Sequence, residues 1–396
     1  MRIVLIGAGS RSFGLRQVMD VLLCKELSGR GVTLALVDEN AQRLDTMSRA
    51  ARRAKGATGS DVGLESHTDH RAALPGADYV IVSVARRRME LVIPICRDVQ
   101  ALCPKAHVLN FTNPEARVLH AVRHLTEVKA FGFCHGVFSA LEKLPAYTGR
   151  ALEDLDVVSA GLNHFYMFQR IRDKKTNEDL LPLVLEKAAA DHSEESGPLY
   201  RKFAEIFGVF TYPSDDHIGE YVSFGMDHRM PVYKYGNEHV HYAPEMPART
   251  HMVEEYADGR RPADDPAILR TSQEITVPVI CDILLNRGTL RPSVNALNSG
   301  GFIPNMPRDV VVEVPVRADA KGIHPQRVEP IPEPMAGFTR TQYVIHGLLT
   351  EAYRTGSRKL LLQALLVDPC VDSIVRAEQL LDWMLKAQAA YLPTFT

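Results

Sequence analysis

Residues 2–10, Arg2-Ile3-Val4-Leu5-Ile6-Gly7-Ala8-Gly9-Ser10, form an apolar run of strand length that breaks into a glycine turn, and a helix over Leu15 to Leu27 follows. Strand, turn and helix in that order are the context in which a glycine fingerprint binds a dinucleotide. Gly7 permits the tight turn, and Gly9 with Ser10 lets backbone amides approach a pyrophosphate at the helix N-terminus. The third glycine of the G-x-G-x-x-G pattern is replaced by Ser12, with Gly14 two residues later. A second strand, Val32 to Val37, runs into Asp38-Glu39-Asn40 and puts the Asp38 carboxylate where a ribose 2′-hydroxyl is bound. An acid at that point favours NAD, while Arg43 nearby keeps NADP open.

The same rhythm continues outward with a helix near Ala41 to Lys55, a strand at Tyr79 to Val84, a helix near Met89 to Leu102 and a strand at His107 to Phe111. Strands alternating with helices predict an α/β fold, a Rossmann-type doubly wound parallel sheet, over residues 1–155. Asn110-Phe111-Thr112-Asn113-Pro114 closes the last of these strands. Strand C-termini are where an open sheet collects its ligand, so this polar stretch, with Asn110 and Asn113, is a candidate to supply amides to the nicotinamide ribose or to the substrate. From about Leu155 the texture changes to more proline, histidine and tyrosine, with an irregular stretch at Tyr242 to Pro266 and a strand at Val310 to Val316. A second, α+β domain is expected over residues 156–396, ending in helices at Thr341 to Tyr353 and Lys359 to Tyr391 with Pro369 as the one breaker.

Composition bounds what such a chain does. Its 396 residues, 45% hydrophobic and 24% charged, describe a packed globular protein with a sizeable core. A formal charge of −2 gives no field that would draw it to a phosphate backbone or an anionic membrane, so neither nucleic acid nor membrane is expected as a partner. The six cysteines form no C-x-x-C pair and are expected as reduced thiols in a cytoplasm. No apolar run approaches the roughly 20 residues that cross a bilayer.

Two further segments stand out, Phe131-Gly132-Phe133-Cys134-His135-Gly136 and Ala160-Gly161-Leu162-Asn163-His164-Phe165. A cysteine and a histidine, each after a strand-like run, suit a divalent metal with open positions for substrate hydroxyls. Residue types alone still favour a buried thiol and a hydrogen-bonded core histidine.

Taken in order, IGAGS, LVDEN, TDHRAALPGADYVIV, NFTNPEARV, CHG, GLNHFYMF, DDHIGEY, NSGGFIPNMPRDVVVEVP and LLLQALLVDPCVDS resemble glycoside hydrolase family 4, the NAD- and metal-dependent glycosidases, or a sister family such as the NAD-dependent sulfoquinovosidases. The resemblance spans nearly the whole chain. It implies a first domain related to lactate and malate dehydrogenases, NAD as cofactor, and Cys134 and His164 as ligands of a metal, usually manganese. It implies substrate contacts from Asn113 and Asn163, and His135 as the acid for the leaving group. Tyr221 and His217 both remain candidates for the base, and Glu90, before Leu91-Val92-Ile93-Pro94, matches a carboxylate that raises the basicity of the tyrosine.

The implied reaction on an α-glycoside takes hydride from C3 of the sugar, removes the proton on C2, expels the leaving group, adds water and returns the hydride. This family is an exception to the two-carboxylate scheme of glycoside hydrolysis. His135-Gly136 after the ligand cysteine resembles members acting on uronic acids. The stretch Ala85-Arg86-Arg87-Arg88-Met89 is shorter than the family's loop and lacks its glycines, which alters sugar recognition. Three guanidinium groups at a strand end suit a carboxylate or sulfonate, so Arg86, Arg87 and Arg88 point to an anionic sugar, a hexuronide or sulfoquinovoside. A neutral α-glucoside or α-galactoside, or a plain NAD-dependent dehydrogenase, are the alternatives. The family also implies a homodimer or homotetramer.

Overall fold

The computed structural model describes residues 1–10, 13–84, 88–193, 196–225 and 245–396, which form two compact units. The first contains Met1–Val118, Val122–Phe133 and Asn237–Asn286, and the second contains Cys134–Gly236 and Arg287–Thr396 together with Leu119–Ala121.

The first unit is built on six strands, β1 (Arg2–Ile6), β2 (Thr33–Val37), β3 (Gly63–His67), β4 (Tyr79–Val82), β5 (His107–Asn110) and β6 (Lys129–Gly132). All pair in parallel, in the order β3-β2-β1-β4-β5-β6. This is the strand order of a doubly wound dinucleotide-binding sheet, with its reversal beside β1. Central strands read as continuous apolar runs because both faces are covered, and Ile3, Val4, Leu5, Val80 and Ile81 are fully buried. β3 was not expected from the sequence. Its Gly-Leu-Glu-Ser-His carries a single aliphatic residue because it lies at the sheet edge, and it owes its order to the ladder with β2.

Helix Ala41–Thr58 shows how the local sequence sets an element. Asn40 accepts a hydrogen bond from the Arg43 amide at the start, and Gly59 ends the helix in the left-handed region at φ 67°. Ala50, Ala51 and Ala54 form its buried stripe, and Arg53 lies 5.3 Å above the ring of Tyr256.

That last contact explains why the observed division differs from the one expected at residue 155. Tyr256 lies on helix Glu245–Ala257, inside the stretch 242–266 that reads as irregular. Its buried ring under Arg53, the hydrogen bonds from Ser272 to Asp20, and Cys281 beside Cys24 all place the segment 245–286 in the first unit. The second unit takes up the chain again at Cys134, after β6.

The second unit carries an antiparallel sheet, β7 (Leu155–Leu162), β8 (Phe165–Asp173), β9 (Thr289–Leu297), β10 (Val311–Asp319) and β11 (Gly322–Pro325), ordered β9-β10-β7-β8 with β11 on β10. Helices Glu333–Thr355, Arg358–Val367 and Ile374–Ala387 end the chain. The expected helical C-terminus is therefore present, with its break at Pro369. Among the described residues no helix is long and apolar enough to cross a membrane.

Candidate active site

The first unit offers a cleft of about 400 Å³ at the C-terminal ends of β1 and β2, lined by Gly7, Gly9, Ser10, Asp38, Asp69 and Ser83. The turn that opens it requires its glycines. Gly7 sits at φ 86°, and a Cβ there would lie 2.0 Å from the carbonyl oxygen of Ser83. Gly14 serves as the missing third glycine, since a Cβ on it would lie 2.0 Å from the Ala8 carbonyl oxygen. The fingerprint thus keeps its close helix-on-strand packing, displaced by two residues. Asp38 accepts from the amides of Gly9 and Asn40, each at 2.9 Å, which holds its carboxylate at the end of β2 beside the turn. The acid and the glycine turn, with Arg43 on the same cleft, fit the adenosine side of a dinucleotide.

The side-chain amide of Asn110 is buried, accepting from the Thr112 amide at 3.1 Å and donating to Glu115 Oε1 at 3.3 Å, so it shapes the turn after β5. Asn113 is exposed in that turn, before the cis bond to Pro114. Glu90 stands half-buried in the first turn of helix Arg88–Leu102. Arg86 and Arg87 lie outside the described residues, and Arg88 is the first residue of that helix.

In the second unit, Cys134 and His164 converge. β7 and β8 are joined by a two-residue turn, Asn163-His164, with Leu162 paired to Phe165. The turn holds His164 at φ 64°, a left-handed conformation that costs a non-glycine residue about 1 kcal/mol. Its Nε2 lies 3.1 Å from Cys134 Sγ, and the amide of Gly136 lies 3.4 Å from the same sulfur. Burial pushes the His164 imidazole down in pKa and keeps it in the neutral form that ligates metal. A thiol and a neutral imidazole whose donor atoms meet in this way fit a two-ligand divalent site.

Aromatic rings and acids fix the surroundings. Gly136 packs closely here, since a Cβ on it would come 3.2 Å from the Tyr212 ring and 3.3 Å from the His164 ring. His217 stacks on Tyr212 with ring centroids 4.4 Å apart and meets the His164 ring edge-on at 4.7 Å. His217 Nδ1 is 2.8 Å from Asp216, which orients the ring. Burial alone would raise the Asp216 carboxyl, but His217 and the Ser214 hydroxyl bring it down to about 2.

Tyr221 donates from its hydroxyl to the carbonyl of Asn163 at 2.9 Å and stacks on Phe165 at 4.9 Å, so it braces the ligand turn. His135 lies against Phe138 of its own helix, centroids 5.4 Å apart, with Nε2 3.9 Å from Glu142. Of the two candidates for the base, His217 has its ring directly against that of His164, whereas the Tyr221 hydroxyl is engaged by the Asn163 carbonyl.

Sequence reading missed the floor of this site. Glu313, fully buried on β10, pairs in register with Gly161 of β7 and Asn295 of β9 and accepts from the Ser293 hydroxyl. Burial pushes its carboxyl up to about 7 against the pull of Ser293, His164 and Asn163. The signal was a lone acid in Val310-Val311-Val312-Glu313-Val314-Pro315, where a charge within a buried strand demands a purpose.

The sequence profile of the family 4 glycosyl hydrolases matches residues 2–86 and 84–149, and the profile of that family's C-terminal domain matches residues 159–371. The chain is 26% identical to an α-glucosidase of Erwinia rhapontici over 99% of its own length and 98% of that protein. It is 23% identical to an α-galacturonidase of Lachnoclostridium phytofermentans over 99% and 97% of the two chains. Among solved structures, a 6-phospho-α-glucosidase from gut microorganisms in complex with NAD and Mn2+ superposes with a TM-score of 0.83 at 19% identity, over 100% of this chain and 99% of that one.

Proposed function

The chain belongs to glycosyl hydrolase family 4, and from that premise we propose that it hydrolyses α-glycosides of an anionic sugar with NAD and a divalent metal bound. The observation that carries the catalytic part is the meeting of Cys134 Sγ and His164 Nε2 at 3.1 Å, with the His217 ring beside them. When bound, NAD and the metal supply reversible hydride transfer at C3 of the sugar and Lewis-acid polarisation of the oxygen there, which acidifies the proton on C2.

The chain's own residues do the rest. Gly7, Gly9, Ser10 and Asp38 would seat the dinucleotide, and Cys134 and His164 would hold the metal. His217, oriented by Asp216, exchanges the proton at C2. Tyr221 acts as a positioning residue through the Asn163 carbonyl, and Asn113 and Asn163 contact the substrate. His135 reaches the leaving-group oxygen once its ring swings off Phe138. The thiol ligand calls for a reducing compartment, which supports a cytoplasmic site of action.

Support for an anionic sugar comes from Arg86, Arg87 and Arg88, from His135-Gly136 after the ligand cysteine, and from the α-galacturonidase relative. The test is turnover in deuterated water, with NAD, manganese and a thiol reductant, on an α-glucuronide, an α-galacturonide, a sulfoquinovoside and a neutral α-glucoside. Deuterium at C2 of the product and preference for an acidic sugar are expected. Product without C2 deuterium overturns the mechanism, and preference for the neutral glucoside overturns the specificity.

A further inference from the structure

Cys24 and Cys281 are 257 residues apart in sequence, yet their sulfurs lie 3.5 Å apart within the first unit. Cys24 caps the C-terminus of helix Gly14–Leu23 in extended backbone, and Glu26 stands two residues on, in the short turn Lys25–Leu27. Cys281 lies in the middle of helix Thr276–Leu284 and is fully buried, whereas Cys24 and Glu26 are half-buried and give a route from solvent. One ligand atom from each of the three residues falls within 4.8 Å of the other two.

We propose that Cys24, Cys281 and Glu26 form a second metal site, separate in sequence and composition from Cys134 and His164, that takes a thiophilic divalent cation of the zinc type with water as its fourth ligand. Two thiolates on one tetrahedral zinc, each about 2.3 Å from the ion, stand about 3.7 Å apart. The observed 3.5 Å is close to that spacing and far outside the roughly 2.05 Å of a disulfide. A carboxylate as third ligand gives an open, partly hydrated site, in contrast to closed structural sites of four cysteines and histidines.

The site would act as a staple. Helix Thr276–Leu284 arrives from late in the chain, and a cation held by Cys24, Glu26 and Cys281 would tie it to the end of the first Rossmann helix. A cation bound only in the folded state raises stability by mass action, in proportion to the logarithm of its free concentration over its dissociation constant.

Cadmium is the direct probe, because its thiolate charge-transfer band counts sulfur ligands. The chelator-stripped, thiol-reduced full chain would be titrated as wild type, C134S, C24S, C281S and C24S/C281S. In C134S one tight equivalent with a two-thiolate band is expected, while the wild type adds the contribution of Cys134. C24S and C281S should each lose about half of the two-thiolate intensity in that site and at least tenfold in affinity, and the double variant should keep only the Cys134 signal. E26Q should weaken binding several-fold without changing the band, which guards against a variant that merely misfolds. Zinc should raise the melting temperature of C134S by several degrees and leave C134S/C24S unmoved. A C134S protein showing no thiolate–cadmium band, or a band indifferent to C24S and C281S, overturns the proposal. So does mass spectrometry showing the two cysteines joined as a disulfide in the reduced protein.

Discussion

His164 shows what a single residue contributes. It occupies a strained left-handed position at a hairpin tip, and burial keeps its imidazole neutral with Nε2 facing Cys134 Sγ. C134S and H164A are expected to lower kcat/KM by about 10³-fold or more, some 4 kcal/mol of transition-state stabilisation, because each removes half of the protein's hold on the metal. Dinucleotide binding, read by calorimetry, should stay within about twofold of wild type, since its residues lie in the other unit. Wild-type rates in either variant would show that the pair has been misassigned. At Gly7 the constraint is steric, because alanine would need φ 86° and would press a methyl against the Ser83 carbonyl. G7A should lose about 2–4 kcal/mol in urea denaturation together with dinucleotide binding. Gly7 was legible in the sequence from its place between strand and helix. Cys134 and His164 were legible through the motifs around them, but not from residue type, since their meeting depends on a turn 30 residues away. The internal bonds of Asn110 to Thr112 and Glu115 were not legible, because polarity at a strand end signals a ligand contact as readily as an internal brace.

Elements were easier to read where apolar runs were continuous. β1, β2, β4 and β5 announce themselves because a parallel sheet is buried on both faces, whereas β3 at the edge and helix Glu245–Ala257 lack such a pattern. The late segment that joins the first unit is secured by polar contacts that no periodicity encodes. Ser272 bonds to Asp20 from both its amide and its hydroxyl, and the Glu274 amide donates to the same hydroxyl. Burial, with the Asp20 charge nearby, pushes the Glu274 carboxyl from 4.5 up to about 7. A carboxyl raised on folding keeps its proton while the unfolded chain has released it, so stability falls as pH rises from about 4.5 to about 7 and is level above. E274Q removes that penalty. It should be more stable than wild type by about 2 kcal/mol at pH 8, and the gain should vanish below pH 4.5. Thermal melts of both proteins across that range check the sign, and a gain that grows toward acid would refute the assignment.

Across the whole molecule, the C-terminal helices carry more apolar surface than their own unit covers. Helix Ile374–Ala387 turns Ala377 and Leu381 inward, one turn apart, as a single-faced amphipathic helix would. It also presents Leu380, Trp383 and Met384 at i, i+3 and i+4 on another side, with Trp383 64% exposed and Ile374 and Val375 each 62% exposed at its start. An apolar stripe of this kind on a folded chain marks an association surface. Full burial of such side chains is worth roughly 1.5–3 kcal/mol each. Counted on both partners of a two-fold contact, the exposed parts of Ile374, Val375, Leu380, Trp383 and Met384 reach the same order as the roughly 4–15 kcal/mol of lost freedom that association must overcome. Self-association through this face is therefore expected, and a homodimer is its smallest closed form. Light scattering on the wild type should give twice the chain mass or a larger even multiple. Charges placed at the centre, as in L380E/W383E, should raise the dissociation constant by at least about 100-fold, or about 3 kcal/mol, while leaving the far-ultraviolet circular dichroism unchanged. A wild type that is monomeric at working concentration, or an oligomer indifferent to both charges, would place the association surface elsewhere or remove it.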